Sequence, residues 1–278
     1  MAALRVVIIS YPVALVLLTV IAIPFGGQLS APAVWWGLLS GVAQAFGVWW
    51  FYAALGSGPI SVVSPLTAVL VAGIPVLAGL ASGERPSPLA GVGVVLALVA
   101  VVLVSRESGG GDEPLARRAD GSDEPLARRA DSGVADTRPH RFTAKVAWLT
   151  IGAGVGFGMN FVLLHQVPAE AKLWPLVFGR LAATAIVLLA ALVTANLVLE
   201  RAVPLRLALV AGVLDTVANV ATLLALQSSL LSLAGVLIAL YPAATVLLAI
   251  TVLRERVTRW QAIGMVLTLG SVVVIAAN

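Results

Sequence analysis

Residues 58–81 read GPISVVSPLTAVLVAGIPVLAGLA, a stretch without a charged side chain. A helix needs about 20 apolar residues to cross the roughly 30 Å hydrocarbon core of a bilayer, and this stretch is long enough to do so. The charged tripeptide Gly83-Glu84-Arg85 follows one residue later. This pattern predicts a membrane-spanning helix that ends in a short polar loop.

The composition of the whole chain is also typical of a membrane protein. Of its 278 residues, 60% are hydrophobic before the 26 glycines are counted, and 11% are charged. A soluble domain averages roughly 45–50% apolar residues with glycine included, and about 25% charged residues. These proportions exclude a soluble enzyme, a nucleic-acid-binding protein and a disordered chain. The net charge of +4 reflects arginines beside membrane helices rather than a basic binding face.

Apolar runs of sufficient length occur at nine places, four before a central charged segment and five after it. The runs are 4–24, 32–54, 58–81, 87–105, 146–167, 174–199, 205–227, 229–253 and 258–277. We therefore predict an all-α polytopic membrane protein with nine transmembrane helices in the inner (plasma) membrane. The lipid bilayer and a small-molecule substrate are its expected partners, and the oligomeric state is left open.

The central segment, residues 106–145, differs from the rest of the chain. It contains DEPLARRAD twice, at 112–120 and 123–131, with glycine and serine between the copies. Dense mixed charge and low hydrophobicity cannot bury enough surface to order a chain. We predict a disordered tether between two membrane halves, 1–105 and 146–278. Docking of a partner through the arginine pairs is the alternative.

The two halves align without gaps when the chain is shifted by 171 residues. The shift superposes Gly41 on Gly212, Ala54-Leu55 on Ala225-Leu226, Ser61 on Ser232, Glu84-Arg85 on Glu255-Arg256, and Gly93 on Gly264. The second copy has five predicted helices and the first has four. An odd number of helices per repeat places the copies in opposite orientations, as in many secondary transporters whose substrate site lies where the repeats meet.

Both copies carry the same series of short motifs. The first has Ala54-Leu55, Ser61, Pro65, Gly83-Glu84-Arg85, Pro88 and Gly93. The second has Ala225-Leu226, Ser232, Tyr241-Pro242, Arg254-Glu255-Arg256 and Gly264, with Arg254 in place of the usual glycine. This series resembles the EamA repeat of the drug/metabolite transporter superfamily. The resemblance implies a secondary transporter that exports a small organic metabolite or drug by alternating access.

The same resemblance implies ten helices, in two sets of five. The arginine that often opens the second helix of each set corresponds to Arg5 and Arg180, so Met1 stands where the second helix should begin. We expect that the start codon has been assigned too late, and a nine-helix variant is the alternative. A truncated transporter, or a non-transporting scaffold or lipid-binding protein, is the alternative function.

The orientation in the membrane receives two conflicting predictions. Most lysines and arginines fall on the face of the charged segment, and only Arg85, Lys172 and Arg180 fall on the other. The positive-inside rule makes the first face cytoplasmic and leaves Asn278 outside. The family resemblance implies the reverse.

Asp215 is the first candidate for a functional residue, because it lies about ten residues into the run 205–227. A carboxylate at that depth costs at least about 2.5–3.5 kcal/mol on insertion scales, so it should face a cavity or a partner. Asn219 lies on the same helical face, and the internal alignment places Gln44 opposite Asp215. We predict that Asp215 binds the coupling proton or a cationic or zwitterionic substrate. The alternative is a buried acid that only bonds Asn219 or a neighbouring helix.

Arg180 does not enter this prediction. It lies near the start of the run 174–199, and we expect it several turns closer to the membrane interface than Asp215. The sequence therefore offers no obvious basic partner for Asp215 in the second half of the chain.

Three further residues are candidates for substrate contacts. Asn160 lies in the middle of the run 146–167, where it can bind substrate or a neighbouring helix. Tyr52 can form an aromatic cavity wall or face lipid. Tyr241 precedes Pro242, and this pair interrupts the run 229–253, either to open a backbone carbonyl towards a cavity or as a packing kink.

Other patterns indicate packing rather than chemistry. The small-xxx-small pairs Gly37/Gly41, Gly152/Gly156 and Gly154/Gly158 allow close helix contact. Nucleotide-binding, zinc-protease and hydrolase motifs do not occur in the sequence, and it contains no cysteine. We therefore expect no enzyme activity, no cofactor and no metal site.

Overall fold

The computed structural model describes residues 2–105, 143–193, 205–248, 250–251 and 258–276. Within these residues it contains ten α-helices and one 3-10 turn, Ala169–Ala171. The helices are α1 (Ala2–Phe25), α2 (Ala31–Leu55), α3 (Ile60–Ala81), α4 (Pro88–Ser105), α5 (Ala144–His165), α6 (Trp174–Val193), α7 (Leu205–Ser228), α8 (Leu231–Ile238), α9 (Tyr241–Leu248) and α10 (Arg259–Ala276). Nearly all of the predicted tether and the loop with Glu255-Arg256 lie outside the described residues.

Four helical segments are long and apolar enough to cross a membrane: Ala31–Leu55, Val62–Ala81, Ala144–His165 and Leu231–Leu248. Four shorter apolar helices, Ser10–Phe25, Pro88–Val104, Trp174–Leu189 and Arg259–Ile275, coincide with other predicted spans. The described residues therefore have the composition and the all-α architecture of a membrane protein, as the sequence predicts. The number of nine spans and the inverted orientation of the halves stay predictions.

The predicted interruption at Tyr241-Pro242 is confirmed. The helix α8 ends at Ile238 and α9 begins at Tyr241, so the fourth segment consists of two helices of eight residues each. Proline lacks a backbone N–H, and it is tolerated in the first turn of a helix because that turn has no partner for the N–H. The chain resumes its hydrogen bonding at once, since Ala243 N–H donates to Leu240 O at 2.9 Å.

Two rows of glycines allow α5 to pack closely against both α2 and α3. Gly152 and Gly156 face α2 at Trp50 and Gly47, and Gly154 and Gly158 face α3 at Leu70 and Ile74. A methyl group on Gly156 would lie 2.8 Å from the Cα of Gly47, which is closer than real Cβ contacts. The two overlapping glycine patterns therefore serve two different neighbours, which agrees with the packing role that the sequence indicates.

Contacts between the halves follow the internal alignment. Gly41 of α2 lies against the backbone of Gly179 on α6, and its aligned partner Gly212 of α7 lies against Val13 on α1. The aligned pair Gly93 and Gly264 behaves in the same way. Gly93 of α4 meets Ile275 on α10, and Gly264 of α10 meets Val104 on α4. Equivalent glycines thus occupy equivalent contacts between one half and the other.

The loop after α3 connects the halves through Glu84. Its Oε1 accepts the backbone N–H of Leu231 at 2.6 Å, and its Oε2 accepts that of Ser232 at 3.0 Å. The first N–H groups of a helix have no partner within the helix, and they favour a negative charge. Glu84 therefore caps α8, which belongs to the other half of the chain.

Candidate functional site

An ion pair joins α6 to α7. The Nη2 group of Arg180 donates to Oδ2 of Asp215. Only 2% of the Arg180 side chain is exposed, against 39% of the Asp215 side chain. Asn219, one turn further along α7, donates from Nδ2 to Asp215 Oδ1 at 3.2 Å and to the Asp215 backbone oxygen at 2.7 Å. The carboxylate is held by a guanidinium from one helix and an amide from its own helix.

Tyr11 and Thr184 complete the surroundings of Arg180. The Arg180 Cζ atom lies 4.7 Å from the centre of the Tyr11 ring on α1, which is within the range of a cation–π contact. Thr184 Oγ1 donates to the Arg180 backbone oxygen at 2.7 Å. The Nη1 group of Arg180 is buried and has no hydrogen-bond partner among the described residues. Half of the guanidinium fork is therefore unused.

A small cavity lies beside the ion pair, where helices of both halves meet. Five helices line it, with Leu18 from α1, Ser40 and Gln44 from α2, Asn160 and Leu164 from α5, Leu176, Gly179 and Arg180 from α6, and Asn219 from α7. Its volume is about 10 Å³, on the order of the room that one water molecule needs. Its lining combines polar side chains with three leucines, as small-molecule sites do.

The structure brings three of the predicted site residues together in this cavity and adds a fourth beside it. Gln44, Asn160 and Asn219 line the cavity, and Asp215 adjoins it through Arg180. Asn160 also connects two helices, because its Nδ2 donates to Ser40 O of α2 at 2.8 Å.

The two predicted tyrosines do not line the cavity. Tyr52 lies in the last turn of α2 and Tyr241 at the first position of α9, and both are exposed rather than among the residues that line the cavity. Their role in substrate binding stays a prediction, and the cavity beside Arg180 does not support it.

The expectation that Asp215 lacks a basic partner at its depth is wrong. Arg180 lies six residues beyond Trp174, the first residue of α6, and six residues advance a helix by about 9 Å. The long arginine side chain extends this reach to Asp215 on α7. The signal was present in the sequence: an arginine within an apolar run is as costly as an aspartate, so one of each in the same bundle should pair.

The charged groups of the site do not form a metal centre. In the part of the chain that the structure describes, no three His, Cys, Asp or Glu side chains gather to hold a metal ion. The arrangement instead offers a cation, a carboxylate and several amides at or beside a small cavity.

The second half of the chain shows the relationship to known proteins. Residues 144–277, from α5 to the end of α10, match the EamA-like transporter family. This half of the chain is therefore similar to EamA-like transporters. Arg180, Asp215, Asn160 and Asn219 all lie within the matched region, so most of the cavity's polar groups come from the EamA-like part. The family is one of membrane transporters and not of enzymes.

The comparison with solved structures extends the likeness to the first half. A protein of known crystal structure superposes on this chain with a TM-score of 0.67 at 17% identity. The match covers 99% of this chain and 87% of that chain. At this identity the likeness shows the fold alone. No curated protein matches the chain.

Proposed function

We propose that this EamA-like protein is a secondary transporter that exports a small organic solute by alternating access, with the Arg180–Asp215 pair at its binding site. The observation that carries the proposal is the buried ion pair beside a cavity that both halves line. Charged groups inside a membrane are costly, and where they occur they mark substrate or ion pathways.

The size of the cavity supports a closed state of the transporter. A space of about 10 Å³ cannot hold an organic solute, so the five helices around it must separate before substrate enters. Alternating access requires such a closed state between the two open ones. Asp215 is the proposed coupling group, because its carboxylate is partly exposed and can exchange a proton when the cavity opens.

A cationic substrate is not favoured at this site, because Arg180 already neutralises the Asp215 carboxylate. A cation would have to displace the guanidinium, which is fixed in the interior.

The proposal can be tested by measuring the export of small organic compounds from cells. A deletion strain and an overexpressing strain are compared for resistance to a panel of amino acids, organic acids and antibiotics, and the affected compound is then followed in inside-out and right-side-out vesicles. We expect uptake into inside-out vesicles from the overexpressing strain and none into those from the deletion strain. The paired variant Arg180→Gln with Asp215→Asn should abolish it at a normal membrane level, and wild-type export by this variant would contradict the proposed site.

A further inference from the structure

We infer that the cavity, once the helices around it have separated, takes a small organic monocarboxylate, which replaces Asp215 as the partner of Arg180 while Asp215 takes up one proton. This inference rests on the proposed function and names the substrate class and the coupling ratio of the same site. Its basis is the Nη1 group of Arg180, which has no hydrogen-bond partner among the described residues.

The guanidinium is built to bind a carboxylate through two groups at once. Its planar fork matches the two oxygens of a carboxylate, and such pairs are stronger and more specific than single contacts. Asp215 engages only Nη2, whereas Nη1 is buried without a partner in the described part of the chain. A buried charged donor without a partner is costly, so a ligand that supplies a second oxygen gains that energy.

The position of Arg180 directs this free capacity to the cavity. Arg180 is among the residues that line the cavity, and its guanidinium lies over the Tyr11 ring. The apolar body of the ligand would meet the leucine wall formed by Leu18, Leu164 and Leu176. A phosphate or sulfate lacks a body for that wall, so an organic acid fits the cavity better than an inorganic anion.

The charge balance of the site explains why Asp215 takes up a proton when the ligand binds. Among the described residues, the charged or titratable groups near Asp215 are Arg180 of α6 and Tyr11 of α1. His165 of α5 lies at the other end of α7, where its Nδ1–H donates to Leu226 O at 2.7 Å. One cation therefore serves the site, and two buried anions beside it would be unstable. When a ligand carboxylate binds to Arg180, the site cannot hold a second negative charge. Asp215 therefore accepts one proton.

Protonated Asp215 keeps its place on α7. The Asn219 Nδ2 group already donates to Asp215 at two oxygen atoms, and a neutral carboxyl still accepts through its carbonyl oxygen. The balance is then one monoanion and one proton bound together, or neither. Transport of this pair carries no net charge.

The test measures binding by purified full-length protein, independently of transport. Benzoate and benzamide are the probes, because they share a shape and differ in charge. Calorimetry in two buffers of different ionisation enthalpy gives the number of protons taken up with the ligand. We expect benzoate to bind with uptake of about one proton, and its affinity to fall roughly tenfold per pH unit once Asp215 is ionised in the free protein. Benzamide should not bind detectably.

Variants separate the two partners. Asp215→Asn should bind benzoate with about zero proton uptake and without the pH dependence, because the competing carboxylate is gone. Arg180→Lys keeps the charge but not the fork, and should weaken benzoate binding at least roughly tenfold. The paired variant Arg180→Gln with Asp215→Asn should not bind it.

Three results would overturn the inference: no benzoate binding to the wild type at any pH, equal binding of benzamide, or binding without proton uptake. Each of them concerns the wild-type protein, so the inference is tested even if a variant fails to fold. Each also leaves the export assay untouched. Conversely, loss of export activity in that assay with normal benzoate binding would refute the transport function and not the anion site.

Discussion

Glu84 of the first half accepts the backbone N–H of Leu231, the first residue of α8 in the second half, at 2.6 Å. The contact gives a physical role to Glu84 of the first Glu-Arg motif, which the sequence alone assigns to a loop. It fixes the start of the broken segment α8–α9 to the end of α3. Loss of this hydrogen bond should weaken the packing of the two halves against each other.

We predict that Glu84→Ala destabilises the folded protein by roughly 1–2 kcal/mol, because the Leu231 and Ser232 N–H groups lose their acceptor. Glu84→Gln should cost less, since one oxygen remains as an acceptor. Thermal unfolding in detergent measures both. Glu170→Ala is the matched control, because the Glu170 side chain is exposed in the loop before α6. Equal melting temperatures for Glu84→Ala and Glu170→Ala would show that the cap does not matter.

The close contact of α2 with α6 leads to a second prediction. At Gly41 an added methyl group meets the backbone of Gly179, whereas at Gly73 of α3 it meets no atom within 4 Å. Gly41→Ala should therefore destabilise the fold by about 1–3 kcal/mol, as overpacking does. Gly73→Ala should be neutral or slightly stabilising, because alanine favours a helix over glycine. Melting temperatures of the two variants, measured side by side, decide the matter, and a stable Gly41→Ala protein would contradict the packing.

The Arg180–Asp215 pair should show strong coupling in a double-mutant cycle. Removing one partner of a buried pair typically costs about 3–5 kcal/mol, because the other charge is left behind. Since 2% of the Arg180 side chain and 39% of the Asp215 side chain is exposed, we expect the lower end of that range for Asp215→Asn, which leaves the guanidinium unpaired, and a smaller loss for Arg180→Gln. The double variant should be more stable than Asp215→Asn, which leaves the arginine buried and unpaired. Additive effects of the two single changes would mean that the pair does not form in the membrane.

The ion pair also bears on the orientation in the membrane. Arg180 is one of three basic residues that the sequence places on the face opposite the charged segment, and it lies inside the bundle with Asp215. It is therefore no longer a loop charge, and only Arg85 and Lys172 remain on that face. We predict that residues 106–145 are cytoplasmic and that the C-terminus is outside. A C-terminal alkaline phosphatase fusion should be active in bacteria, whereas a fluorescent C-terminal fusion would refute this orientation.

Local hydrophobic patterns predicted the described helices well. Each of the nine apolar runs coincides with a helix or a helix pair, since a long apolar run between polar turns allows few other structures. The break before Pro242 and the glycine rows of α5 were also predictable, because a missing N–H and a missing side chain act on the nearest atoms. These features depend on residues close together in sequence.

The site was predictable only in part, because its contacts join residues far apart in sequence. Asp215 and Asn219 share one helical face, and the internal alignment added Gln44. The partner of Asp215 depends instead on the relative positions of α6 and α7 along their axes, which a hydropathy pattern does not specify. Tyr11 is a further example, since its contact with Arg180 crosses from the first half to the second.

The two glycine rows of α5 limit how the molecule can move. A helix that touches α2 at Gly47 on one side and α3 at Leu70 on the other cannot slide or turn without collision. We expect α2, α3 and α5 to travel as one rigid block. Opening of the cavity then depends on the motion of α6 and α7, and the Arg180–Asp215 bond ties these two moving helices to each other.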